Sequence, residues 1–163
     1  MRIAVSADER VGIADTLIGE LERRGHEVSA HGALAGAARR SHAQAPGGSP
    51  KEGEREDWAW ASEAAAREVA QGRAEQAVVC CWTGTGASIA ANKVAGVRAA
   101  LCADAATAEG ARRWNDANAL ALSLRSTSEA ELREILDAWF AGAPSTEADD
   151  RANIEHLREI EGS

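Results

Sequence analysis

The chain has 163 residues, 45% of them hydrophobic and 27% charged, with a formal net charge of −8. A length of this order suits one compact core, so a single domain over residues 1–163 is expected. The composition holds no apolar run near the about eighteen residues of a membrane span; the negative balance and the lack of a basic stripe with interleaved aromatics exclude nucleic acid as a partner. The segment Met1–Asp8 carries no apolar signal-peptide region, and cytoplasmic residence is expected. Two of the three cysteines, Cys80 and Cys81, are adjacent, a poor disulfide framework because strand neighbours point to opposite faces. No histidine pairs with cysteines or carboxylates at metal-ligand spacing, so no metal is predicted.

Arg2–Ala7 reads as a short buried strand, followed by a helix with Ile13, Leu17, Ile18 and Leu21 on one face and Gly25 at its exit. His26–Ser29 is a second strand. Residues 32–56, rich in Gly, Pro, Ala and charge, form a long loop that also holds Arg39 and Arg40, read as solvated charge. Helical spacing returns over Asp57–Gln71 through Trp58, Ala61, Ala65 and Val69. Strand Gln76–Cys81, helix Ala87–Lys93, strand Val97–Cys102, helix Thr107–Trp114 and strand Ala119–Leu122 alternate after it. Ser128 with Glu131 opens a capping box for a helix to Ala141, and a polar helix over about 147–161 ends the chain, packed outside the sheet or on a partner. Such alternation predicts an α/β fold, a five-stranded parallel sheet with helices on both faces and ligands beyond the strands' carboxyl ends.

One segment stands out chemically. Ala77–Cys80 delivers the chain into Cys81-Trp82-Thr83-Gly84-Thr85-Gly86, after which a helix starts. Alternating glycines permit positive φ and close ligand approach, and the N–H groups of a helix start can hold an anion. A thiol at the end of such a strand, facing a helix N-terminus, is expected to have a lowered pKa and could act as a base; the plain alternative is an inert buried cysteine, the reading given to Cys80.

The blocks Thr83–Lys93, Gly96–Cys102 and Asn115–Asn118, in that order, resemble the ribose-5-phosphate isomerase B and galactose-6-phosphate isomerase family, over nearly the whole chain. The resemblance implies a Rossmann-like three-layer α/β/α sandwich, a homodimer with active sites at its interface (a tetramer being a further option), and cofactor-free aldose–ketose isomerisation. It also implies that Cys81 is the base moving a proton between C1 and C2 of an open-chain sugar through an enediolate, with Thr83 relaying the proton between the substrate oxygens. The backbone around Gly84, Thr85, Gly86 and Ala87 would bind the enediolate, and Asp8 and Asn115 the substrate. Some relatives carry a glutamate base where this chain has Ala87, which places it with the cysteine users. For Thr83 and Asn115 the alternatives are a turn-capping hydroxyl and a loop amide.

Four departures from the family pattern cluster around the expected sugar and phosphate positions. Asp8-Glu9 replaces an Asp-His pair, and Trp114-Asn115 replaces a His-Asn pair, so an indole stands where an imidazole would open the sugar ring. Asp149 and Asn153 stand where arginines occur on the last helix, while Arg125 matches a phosphate arginine. A Tyr-Pro segment has become Asp57-Trp58-Ala59-Trp60. Trp82 and Trp114, beside sugar-holding positions, are read as either a reshaped pocket wall or packing; Trp139 and Phe140 are read as core. Two readings compete: an isomerase for a sugar or sugar phosphate, with these departures favouring a weakly anionic or unphosphorylated one, and a noncatalytic metabolite-binding protein on the same fold.

Overall fold

A computed structural model describes residues 1–36 and 55–162. Five strands, β1 (Arg2–Ala7), β2 (Glu27–Gly32), β3 (Gln76–Cys81), β4 (Ala99–Leu101) and β5 (Ala119–Ser123), form one sheet. Six helices accompany them: α1 (Ala14–Arg23), α2 (Trp58–Ala70), α3 (Thr85–Ala91), α4 (Ala105–Asn115), α5 (Glu129–Ala141) and α6 (Ala148–Glu161). Every strand pairing is parallel, in the order β2-β1-β3-β5-β4. This is the expected Rossmann-like three-layer arrangement. The chain first winds outward from β1 to β2 and then reverses past β1 to β3, which creates a topological switch point between the carboxyl ends of β1 and β3.

The two faces of the sheet differ in kind. Strand alternation sends Ile3, Val5, Val78, Cys80, Leu120 and Leu122 into one core with Leu17 and Leu21 of α1 and Leu132, Ile135, Leu136 and Trp139 of α5. It sends Ala4, Ala77, Val79, Cys81, Ala119 and Ala121 to the other face, against Ala65 and Ala66 of α2 and Ala87 and Ala91 of α3. Small side chains on that second face let α2 and α3 lie close to the sheet. Trp139 is fully buried, as expected, with its indole N–H donating to Gln76 Oε1 at 2.7 Å.

The capping box forms as read: Ser128 Oγ accepts from the Glu131 N–H at 3.2 Å, and Glu131 Oε2 from the Ser128 N–H at 2.7 Å. A buried carboxylate, Glu20, ties α1 to α5 through Arg24 (2.6 Å), Arg133 (2.7 Å) and Arg23 (2.5 Å). The expected strand Val97–Cys102 shrinks to three residues: the Val97 N–H turns onto the Val94 carbonyl at 3.1 Å, and Arg98 is drawn into a side-chain clasp described below. The loop expected over 32–56 contributes Gly32 to β2 and a turn over 33–36; Arg39, Arg40 and the rest of 37–54 lie outside the described residues. α6 packs on α4 and buries only Ile154, leaving Leu157 and Ile160 exposed.

Candidate active site

The switch point gathers the loops that follow β1, β3 and β5. β3 ends at Cys81, and the next three residues reverse the chain: the Gly84 N–H donates to the Cys81 carbonyl at 3.2 Å, and Gly84 takes φ +76° as the N-cap of α3. A Cβ there would fall 2.5 Å from Leu101 Cδ1 and 2.9 Å from the Leu122 carbonyl carbon, so both conformation and space require glycine. The turn is stitched to β5 by Leu124 N–H to the Cys81 carbonyl (3.0 Å), Arg125 N–H to the Trp82 carbonyl (3.0 Å) and Ser123 Oγ to the same carbonyl (2.9 Å).

Cys81 lies on the alanine face, nearly covered, and its Sγ accepts the Ala87 N–H at 3.4 Å. Of the four backbone donors expected to serve an anion, that of Gly84 therefore belongs to the turn and that of Ala87 to the thiol. Those of Thr85 and Gly86, first in α3, have no partner within the helix. The exposed hydroxyls of Thr83 and Thr85 bond to each other at 2.7 Å. Cys80 points into the opposite core, where complete burial drives its thiol far up in pKa, and Cys102 is pushed up to about 12 by burial and Asp104.

Asp8 follows β1 beside this turn. Its Oδ1 is buried without a hydrogen-bond partner among the described residues, and burial, with Glu9 and Asp57 adding repulsion, holds its carboxyl above the ordinary range despite backbone N–H donors. Glu9 is exposed next to it. Gly12 sits against the Leu124 carbonyl, which brings the Asp8–Ile13 loop up to the segment carrying Arg125. Arg125 is exposed and makes no ion pair among the described residues, whereas Arg10 is paired with Asp15. Trp82, half exposed, forms part of the same rim.

Trp58, which helical spacing turns toward the core and which falls in one of the four departures from the family pattern, lies at this edge. Its ring lies on Gly86: a Cβ there would be 2.9 Å from Trp58 Cε3 and 3.0 Å from Cδ2. The pair is separated by twenty-eight residues and carries no local signal; the small-residue run of α3 hinted only at close packing.

Trp114 and Asn115 are elsewhere. α4 starts at the carboxyl end of β4 and runs back, so its last residues reach the amino-terminal edge of the sheet, where the Asn118 carbonyl accepts the Ala77 N–H. From Ala77 to Cys81 is four strand residues, about 13 Å. Within one chain Asn115 and Cys81 thus sit at opposite edges. Trp114 is 54% exposed, its ring folded back over Gly110 of its own helix. Behind it a clasp closes the edge. Arg98 Nε donates to the Asp116 carbonyl and Nη2 to its carboxylate, both at 2.9 Å, and Asn118 Oδ1 accepts the Arg98 N–H while its Nδ2 donates to the Gly96 carbonyl, both at 2.8 Å. Asp116 holds a left-handed φ of 45° in this grip.

Asp149 and Asn153 lie in the first turns of α6, where Asn153 Nδ2 donates to the Asp149 carbonyl at 2.8 Å. No helix among the described residues is long and apolar enough to cross a membrane.

Fold and site together define a doubly wound α/β domain with a thiol and a hydroxyl pair at its switch point. The Ribose/Galactose Isomerase family matches residues 3–160. Ribose-5-phosphate isomerase B of Escherichia coli (strain K12) is 36% identical over 108 residues, 66% of this chain and 72% of that protein. D-erythrulose-4-phosphate isomerase of Pectobacterium atrosepticum is 39% identical over 74 residues, 45% of this chain and 49% of that protein. The type B ribose 5-phosphate isomerase structure of Trypanosoma brucei aligns with a TM-score of 0.78 at 32% identity, over 98% of this chain and 97% of that one. The chain belongs to the Ribose/Galactose Isomerase family, a family of sugar-phosphate isomerases.

Proposed function

We propose that this protein is a cofactor-independent aldose–ketose isomerase in which Cys81 is the base. The carrying observation is the Ala87 N–H on Cys81 Sγ beside the Thr83–Thr85 hydroxyl pair: one group to move a carbon-bound proton, another to move an oxygen-bound one. The thiolate removes the proton from C2 of the open-chain aldose, the C2–H electrons form the C1–C2 double bond of the enediolate, and the thiol, whose proton exchanges with solvent, then delivers a proton to C1. Thr83 carries the hydroxyl proton from O2 to O1. The Thr85 and Gly86 N–H groups stabilise the oxyanion that develops between these steps. Asp8 holds a substrate hydroxyl with its otherwise unpartnered oxygen.

The site is a dimer's. The resemblance asks for Asn115 beside the substrate, but it lies with Trp114 at the far edge of its own sheet, so a second copy of the chain supplies it, the second copy's α6 and exposed Leu157 and Ile160 forming part of the shared surface.

The substrate is a sugar with weaker anionic character than a pentose phosphate. Glu9 adds negative charge at the edge where Arg125 stands, Asp57 is paired with Arg55, and Arg10 is occupied by Asp15. A noncatalytic binding protein is the competing reading, favoured by the indole at Trp114, which has no proton to exchange at neutral pH. Incubation with a panel of free and phosphorylated aldoses in deuterated water, read at C2 by NMR, tests the proposal. Deuterium entering at least one sugar is the expected result; no exchange in any, with sugar binding retained, favours the binding protein.

A further inference from the structure

We propose that Trp58 is a positioning residue for Cys81, holding the first turn of α3 so that the Ala87 N–H stays on the thiol. This rests on the reading of Cys81 as the base. The first turn of α3 has little to hold itself together. Its N-cap is Gly84, with no side-chain cap; its first two residues are Thr85 and Gly86, both weak helix formers; and the helix has seven residues. Such a turn frays unless packing restrains it. The Trp58 ring supplies that packing, resting on Gly86 at a distance that leaves no room for a Cβ, and Ala87, the next residue, donates to Sγ at 3.4 Å.

The alternative, that Trp58 merely fills core, fails on comparison within this chain. Trp139 is a core tryptophan and is 0% exposed; Trp58 is 44% exposed, with one face on the turn and the rest open. The body of α2 is held on the sheet by Ala61, Ser62, Ala65 and Ala66, all fully buried. The start of α2 is thus a fixed post against which α3 is braced. A donor aimed at sulfur stabilises a thiolate in general, so loss of the brace is read through the reactivity of the thiol.

The experiment is the pH dependence of iodoacetamide alkylation of Cys81 in the full chain, followed by tandem mass spectrometry to separate it from Cys80 and Cys102. Trp58→Ala is expected to raise the midpoint by roughly one pH unit, the order of a lost hydrogen bond to a charged group. Trp58→Phe, which keeps a ring over Gly86, returns most of the shift, and Trp60→Ala leaves the midpoint where it is. Should Trp58→Ala fail to fold by circular dichroism, Gly86→Ala probes the same contact by wedging a methyl group under the ring, with the same rise expected. An unmoved midpoint in both Trp58→Ala and Gly86→Ala, or an equal rise in Trp60→Ala, overturns the proposal. The readout needs no sugar: absent deuterium exchange would remove the isomerase reading while leaving the alkylation result to stand or fall by itself.

Discussion

At the carboxyl edge of the sheet, Asp8 has a buried oxygen with no hydrogen-bond partner among the described residues, the Thr85 and Gly86 N–H groups lack helical acceptors, and Arg125 makes no ion pair among them. At the amino edge, Arg98, Asp116 and Asn118 satisfy one another, and Arg112 adds a bond to the Ala117 carbonyl. Both edges are built from loops rich in polar residues. Arg112 Nε and the His26 ring nitrogens are also buried without a partner among the described residues, so unmatched groups occur at both edges; the difference is that at the carboxyl edge they gather around one thiol, whereas at the amino edge the Arg98, Asp116 and Asn118 groups close on one another as a structural joint. The joint nevertheless carries Asn115, at the end of α4 beside Asp116.

The largest effect expected from this contrast is on substrate. Losing two or more charge-assisted phosphate contacts, each about 1.5–3 kcal/mol when desolvated, lowers phosphate binding by roughly two to four orders of magnitude. Ribose 5-phosphate should therefore be a poor substrate in steady-state kinetics beside a reference family enzyme. Comparable kcat/KM values would mean that the open edge recruits further cations, from a second chain or from elsewhere in this one. Next, Cys81→Ala should lower turnover on the order of a hundredfold or more, whereas Cys80→Ala should change chiefly stability. If the two edges meet across a dimer, mixing Cys81→Ala chains with Asn115→Ala chains restores roughly a quarter of the sites, one in each mixed dimer. No recovery on mixing, or a monomer by light scattering, separates the edges for good.

Arg98→Ala tests the joint. It leaves the half-buried Asp116 carboxylate and carbonyl short of partners and should cost about 1–3 kcal/mol in urea unfolding, with the denaturant slope unchanged. A change within a few tenths would show that the clasp is decoration. The smallest effect concerns Glu20, whose carboxyl is held at about 2, chiefly by the hydrogen bond from Arg133, with Arg24 and Arg23 contributing. A depressed folded pKa stabilises fully above the ordinary carboxylate range and is lost as pH falls toward 2. Urea midpoints should drop over that window in the parent chain and drop less in Glu20→Gln.

Sequence periodicity located β1 and β3 to the residue because each is a run of apolar residues ended by polar or turn-forming ones, and the capping box located the start of α5. β4 is shorter than its apolar pattern suggests, since Val97 and Arg98 look like strand, and a backbone turn onto Val94 and the clasp with Asn118 respectively withdraw them. The glycine turn was legible from its spacing. Two features of the site were not: the contact of Trp58 with Gly86, made between residues remote in sequence, and the placement of Asn115 at the opposite edge. The second follows from a parity rule, that a helix after a parallel strand ends where the next strand begins, and motif matching takes no account of which edge a motif reaches.

The separation of Cys80 and Cys81 onto opposite faces has a consequence for handling the protein. Cys102 shares a core with Cys80, and Cys81 has no second thiol on its own face of the sheet. A sulfenic acid formed at Cys81 therefore has no resolving cysteine within the chain to trap it as a disulfide. Further oxidation leads to sulfinic and sulfonic acids, which thiol reductants do not reverse, so a Cys81 thiol oxidised by peroxide should be lost permanently unless a small thiol is already present to cap it.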